Sequence, residues 1–124
     1  MKFPRPLFDR LAEKALAEIP KAFLDLLYNV EIDVRELPGK EAGKWNGSRK
    51  LLGLYKGLSR AEMKSPGSGT YHPARIVLYQ TNIEERCGTE AELFKVIRKT
   101  LRHELAHHFG FSEEDIRQKW PEGA

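Results

Sequence analysis

Between Phe8 and Leu27 apolar side chains recur at helical spacing, first Leu11, Ala15, Leu16 and Ile19, then Phe23, Leu26 and Leu27, with Pro20 between the two runs. Proline lacks the amide hydrogen that a helix interior needs, so the pattern predicts two short helices broken near Pro20. From Val30 to Leu37 the period shortens to two, with Val30, Ile32, Val34 and Glu36 on one face. That predicts a strand, ended by Pro38-Gly39. Lys40 to Lys50 is rich in Gly, Lys and polar residues and predicts a loop; "LLGLYKG" then reads as a second strand, punctuated by Gly53 and Gly57. As an edge strand it would offer an extended peptide a line of backbone partners, and its glycines would permit close approach. The plainer reading, preferred here, is a core strand with glycines at its turns. "MKSPGSGTYHP" is the most loop-like stretch, and Arg75 to Gln80, "RIVLYQ", is the strongest short apolar run and predicts a central strand.

The last third changes character. Thr89 to Phe109 contains no proline and predicts one long helix stopped at Gly110, followed by a short helix from about Ser112 to Trp120 closed by Pro121. Helices, then strands, then helices predict an α+β fold with a small, mostly antiparallel sheet. A chain of 124 residues has room for one domain with a real core, so residues 1–124 are expected to fold as a unit.

Composition narrows the functional classes. With 40% hydrophobic and 31% charged residues the chain is neither disordered nor membrane-like. Its longest apolar runs, such as "AFLDLLYNV", are broken by acids and fall short of the roughly 20 residues that span a bilayer. The start, "MKFPRPLFDR", lacks the apolar stretch and small-residue cleavage site of a secretory signal, so a cytoplasmic location is expected and Asn46-Gly47-Ser48 is read as a turn. Cys87 is the sole cysteine, which excludes an internal disulfide and a cysteine-cluster zinc site; any metal must be held by His, Asp or Glu. The net charge of +3 comes from dispersed basic residues rather than a run, which gives nucleic-acid binding no particular support.

The chemistry concentrates in "TLRHELAHHFGFSEED", Thr100 to Asp115. At about 100° per residue, His107 lies about 40° from His103 and one turn along, as two ligands of one ion require. Val96, Thr100 and Gly110 extend that stripe, while Phe94, Ile97, Leu101, Leu105 and Phe109 fall on the opposite side and supply the core face. Glu104 points about 100° round from His103, beside the metal face rather than on it. In the His-Glu-x-x-His arrangement two imidazoles take the zinc and the glutamate stays free to remove a proton from the water that the metal activates. The bland alternative is a solvated amphipathic helix carrying the two side chains by chance.

The stretch "HELAHHFGFSE" resembles the zincin metallopeptidases, in particular the His-Glu-x-x-His-x-x-Gly-x-x-(His/Asp) pattern of metzincins. Over nearly its full length the chain resembles a family of small bacterial zincin-like proteins, through "FDRLAEKALAEIP", "NVEIDVRELP", "LLGLYKG", "RIVLYQ" and "TLRHELAHHFGFSEED". The resemblance implies a zincin-like domain with a zinc ion held by His103, His107 and, as third ligand, Glu113, with Glu104 as general base and a peptide or protein as substrate. Glu113 departs from the usual histidine or aspartate, and "SEED" also reads as a helix-capping box with Ser112 as N-cap; Asp115 is the substitute ligand. The methionine turn of metzincins is missing as well, since Met1 and Met63 both precede the helix.

Other residues are read more plainly. His108, about 140° from His103, faces the edge of the core; His72 and Tyr71 are loop residues; Cys87 is structural. Two rival functions stand beside the peptidase. One is a metal-dependent endoribonuclease, which the basic pI suits, but whose motif has glycine where this chain has Glu104 and histidine where it has Glu113. The other is a non-catalytic, metal-stabilised interaction module.

Overall fold

The central strand follows from where the apolar residues are densest. In the computed structural model, which describes residues 2–19, 30–56, 74–109, 114, 115 and 118 (for 74 and 107–109 the backbone alone), β3 (Ala74–Tyr79) lies between β1 (Val30–Arg35) and β2 (Gly53–Lys56). Ile76, Val77, Leu78 and Tyr79 are all essentially inaccessible, so consecutive residues are covered on both faces, as only an inner strand allows. The flanking strands have half-exposed residues instead.

The sheet is mixed rather than mostly antiparallel. β1 pairs with β3 in parallel, with Ile32 opposite Ile76, and β2 pairs with β3 antiparallel, with Tyr55 opposite Ile76. The three strands alternate in direction along the chain, and inserting the third between the first two makes one pairing of each kind. That insertion also corrects the reading of "LLGLYKG" as a core strand: among the described residues β2 is an edge, bonded only to β3.

Helix α1 (Arg5–Ala17) starts behind Pro4 with Pro6 in its first turn, where a missing amide costs nothing. Its buried residues Phe8, Leu11, Ala12 and Ala15 share one core with Ile76 and Leu78 of the sheet and with Leu93, Ile97, Leu101 and Leu105 of the long helix. The second N-terminal helix expected from Phe23 to Leu27 lies outside the described residues, as does the loop before β3. Between β1 and β2 the expected loop contains a turn of 3-10 helix (Lys40–Trp45) in which Gly43 takes a φ of 56°, a left-handed conformation that a side chain would strain. Glu41 locks this turn to the sheet: its carboxylate accepts the Gly39 N–H (2.8 Å) and the Tyr79 hydroxyl (2.7 Å) and pairs with Arg35 (3.0 Å).

Gln80, expected as the end of β3, instead opens a short helix α2 (Gln80–Glu84), whose buried Asn82 and Ile83 tuck under the long helix. That helix, α3 (Glu90–Phe109), begins with a capping box: Thr89 Oγ1 accepts the Glu92 N–H (3.1 Å) and Glu92 returns the contact to Gly88 N–H (3.1 Å). Its predicted core stripe holds for Ile97, Leu101 and Leu105, which are buried to within 1%, with Phe94 partly covered and Leu93 fully so. Farther along, Thr100, Arg102, Glu104 and Ala106 are buried too, so from Thr100 to Ala106 α3 is enclosed on several sides rather than amphipathic. Glu114, Asp115 and Gln118 are helical, within the final helix expected from Ser112 to Trp120.

Candidate active site

Helix α3 crosses β2 at a point where the strand has no side chain. A Cβ on Gly53 would stand 2.8 Å from Thr100 Cγ2, 3.2 Å from the Val77 carbonyl oxygen and 3.3 Å from Glu104 Cγ. Glycine is therefore what lets the helix lie against the strand and brings Glu104 to the sheet edge. There the Glu104 carboxylate accepts a hydrogen bond from the backbone N–H of Tyr55, in the middle of β2. Burial pushes the Glu104 carboxyl above its ordinary pKa, while the neighbouring His103 and the Tyr55 N–H pull the other way.

His103 is half-buried one residue before Glu104, and both open into a cleft of about 480 Å³ between the strand segment Leu52–Gly53 and the helix stripe Val96–Thr100–His103. The helical wheel had put Val96, Thr100 and His103 on one face, and the cleft lies along it. The far wall of the cleft is fixed from below: buried Asn82 donates through Nδ2 to the carbonyls of Ser48 (2.8 Å) and Leu51 (2.7 Å). Arg86 and Lys99 also border the cleft. Sequence reasoning passed over these residues. Lys99 was detectable, since it sits about 40° from His103 on the same wheel; nothing local in "TNIEER" marks Asn82 or Arg86.

The structure thus brings His103 and Glu104 together. The α3 backbone runs unbroken to Phe109 and carries position 107 one turn beyond position 103. The side chains of His107 and His108, and the residues Tyr71, His72, Gly110 and Glu113, lie outside the described residues; Asp115 is half-buried. Cys87 is a core residue whose thiol donates to the Ile83 carbonyl (3.2 Å), in keeping with its structural reading. Among the described residues no three His, Cys, Asp or Glu side chains come together as a metal site; of the expected ligands His103 is the one whose side chain is described, and beside it Glu104 is held against β2 by the Tyr55 N–H.

Compared with known proteins, residues 27–121 match the zincin-like metallopeptidase family, a span that includes all three strands and the long helix. The chain belongs to that family. Membership implies a metal cofactor and a peptide or protein substrate. No curated protein matches the chain. Among the described residues no helix is long and apolar enough to cross a membrane.

Proposed function

We propose that the protein is a zinc peptidase in which His103, His107 and Glu113 hold the metal and Glu104 is the general base. The observation that carries this reading is the placement of Glu104: a buried carboxylate beside His103 in the lining of a cleft, hydrogen-bonded by a strand N–H. Bound zinc would supply an acidified water and polarise the carbonyl of the scissile bond. Glu104 takes the proton of the attacking water as its oxygen bonds to the carbonyl carbon, and delivers that proton to the departing amine nitrogen. The Tyr55 N–H would hold the carboxylate in place for this transfer. Among the described residues β2 pairs on one side only, and its other edge suits an extended substrate, which would add to the sheet as a further strand.

The test begins with metal content. The purified protein should carry one zinc per chain, His103→Ala and His107→Ala should lose it, and Glu113→Ala should lose it while Asp115→Ala keeps it. A chain that never retains a stoichiometric transition metal would sink the assignment. Retention of zinc with no hydrolysis of any peptide, together with melting of the domain on zinc removal, would favour the metal-stabilised module instead.

A further inference from the structure

The cleft next to Glu104 has a chemical character that the hydrolytic reading does not require. Its walls near the site are apolar, from Leu51, Leu52 and Val96, while Arg86 and Lys99 stand at its border. Nearby arginines are neutralised: Arg49 pairs with Glu85 (2.6 Å) and Arg98 with Glu18 (3.6 Å). Arg86 instead donates Nη1 to the Asn82 carbonyl (2.9 Å), which fixes the guanidinium over the cleft, and among the described residues neither Arg86 nor Lys99 has an acidic partner. Among the described residues the one carboxylate in the lining is Glu104, buried and tied to Tyr55. An apolar slot bordered by two cations matches a group that is aliphatic along its length and anionic at its end.

The spacing limits where that group comes from. Lys99 precedes His103 by four residues, about 6 Å of helix axis. An extended substrate covers about 3.3–3.6 Å per residue, so Lys99 stands about two residues' length from His103, and Arg86 lines the same cleft. The geometry points to a substrate pocket selective for a carboxylate within two residues of the scissile bond, read by Arg86 and Lys99. Two sources share this chemistry, a glutamate side chain and the C-terminal carboxylate of the peptide. The inference rests on the peptidase reading for its substrate class, but the pocket can be tested by binding alone.

The experiment uses the full chain, zinc-loaded, and matched fluorogenic peptides with Glu, Gln or Lys at each position flanking the cleavage site, free or amidated at the C-terminus. Cleavage is read as kcat/KM. Binding is read separately by fluorescence anisotropy on the Glu104→Gln protein. The expected result is a preference of about tenfold for the carboxylate-bearing peptide in both measurements. Loss of that preference with a Glu-to-Gln change identifies a side chain, and its loss on amidation identifies the chain terminus. In Arg86→Gln/Lys99→Gln the preference should vanish, and in Arg86→Glu/Lys99→Glu it should turn toward lysine. Equal binding of Glu and Gln peptides, a preference that survives the double substitution, or tighter and salt-sensitive binding of a single-stranded RNA that the double substitution abolishes, would each overturn the inference. Selective binding without cleavage of any peptide leaves the pocket standing and removes the peptidase; cleavage without selectivity does the reverse.

Discussion

Two carboxylates are drawn against the sheet, Glu41 by residues of β1 and β3 and Glu104 by β2, and their surroundings make them different acids. Glu41 meets three donors, the Gly39 N–H, the Tyr79 hydroxyl and Arg35, and the first of these does most to hold its pKa down, at about 2. Burial of the phenol and its bond to Glu41 push Tyr79 well above the usual range. Glu104 is enclosed by β2 and α3 with the Tyr55 N–H and His103 as the partners that favour its charge, and burial outweighs them. Glu41 is thus a fixed anion that pins a turn, whereas burial gives Glu104 a proton affinity above that of an ordinary carboxylate. Burial alone does not set the character of an acid; the number and charge of the donors that come with it do.

The largest expected effect lies at Glu104. Glu104→Gln should retain zinc, keep the acceptor for the Tyr55 N–H and leave Tm undiminished, while peptide hydrolysis falls by about 10²–10⁴-fold, the usual worth of a general base. Glu41→Gln should show the opposite pattern, normal turnover with reduced stability. If the two substitutions had the same effect on turnover, the contrast between the two sites would fail.

Next in size is Gly53→Ala. The new methyl would meet Thr100 and the Val77 carbonyl oxygen, which as strand backbone has little freedom to yield. Overpacking of this kind costs about 1–3 kcal/mol, seen as a lower denaturation midpoint, and by displacing α3 from β2 it should reduce turnover as well. A variant as stable and as active as the parent would show that the close approach of helix and strand is not needed.

Tyr79→Phe removes one donor from a buried, charged acceptor and should lower stability by about 1.5–3 kcal/mol in denaturant unfolding, without changing the metal content. The last effect concerns acid. Because the folded-state pKa of Glu41 is lowered from 4.5 to about 2, its contribution is fully present above pH 4.5 and disappears as the pH falls toward 2. Glu41→Gln should flatten the stability profile in that window, measured as unfolding free energy against pH. An unchanged slope would mean that the carboxylate is protonated alike in the folded and unfolded chains.

Much of this was legible along the chain. Alternation marked β1, the densest apolar run marked β3, and Pro38-Gly39 and the Thr89 region marked where elements end and begin, because those are signals of local backbone preference. The faces of α3 were readable from a single angle, and Val96, Thr100 and His103 do share a cleft. The edge position of β2 was misread, since strand order depends on which strands bury both faces, a property of the assembled sheet. Gln80 was assigned to β3 because nothing in "YQTN" separates the last strand residue from the first helical one.

The period of its apolar residues determined the elements of this protein, and the spacing of His103, Glu104 and His107 on one helix made a metal site expected before any coordinate was known. The tertiary structure alone decided that Gly53 would admit α3, that a strand amide would hold Glu104, and that donors would lower the pKa of Glu41 while burial would raise that of Glu104. These outcomes depend on distances between segments remote in sequence, where a few tenths of an ångström and the presence of one donor change the energy of a buried charge. No local pattern encodes them.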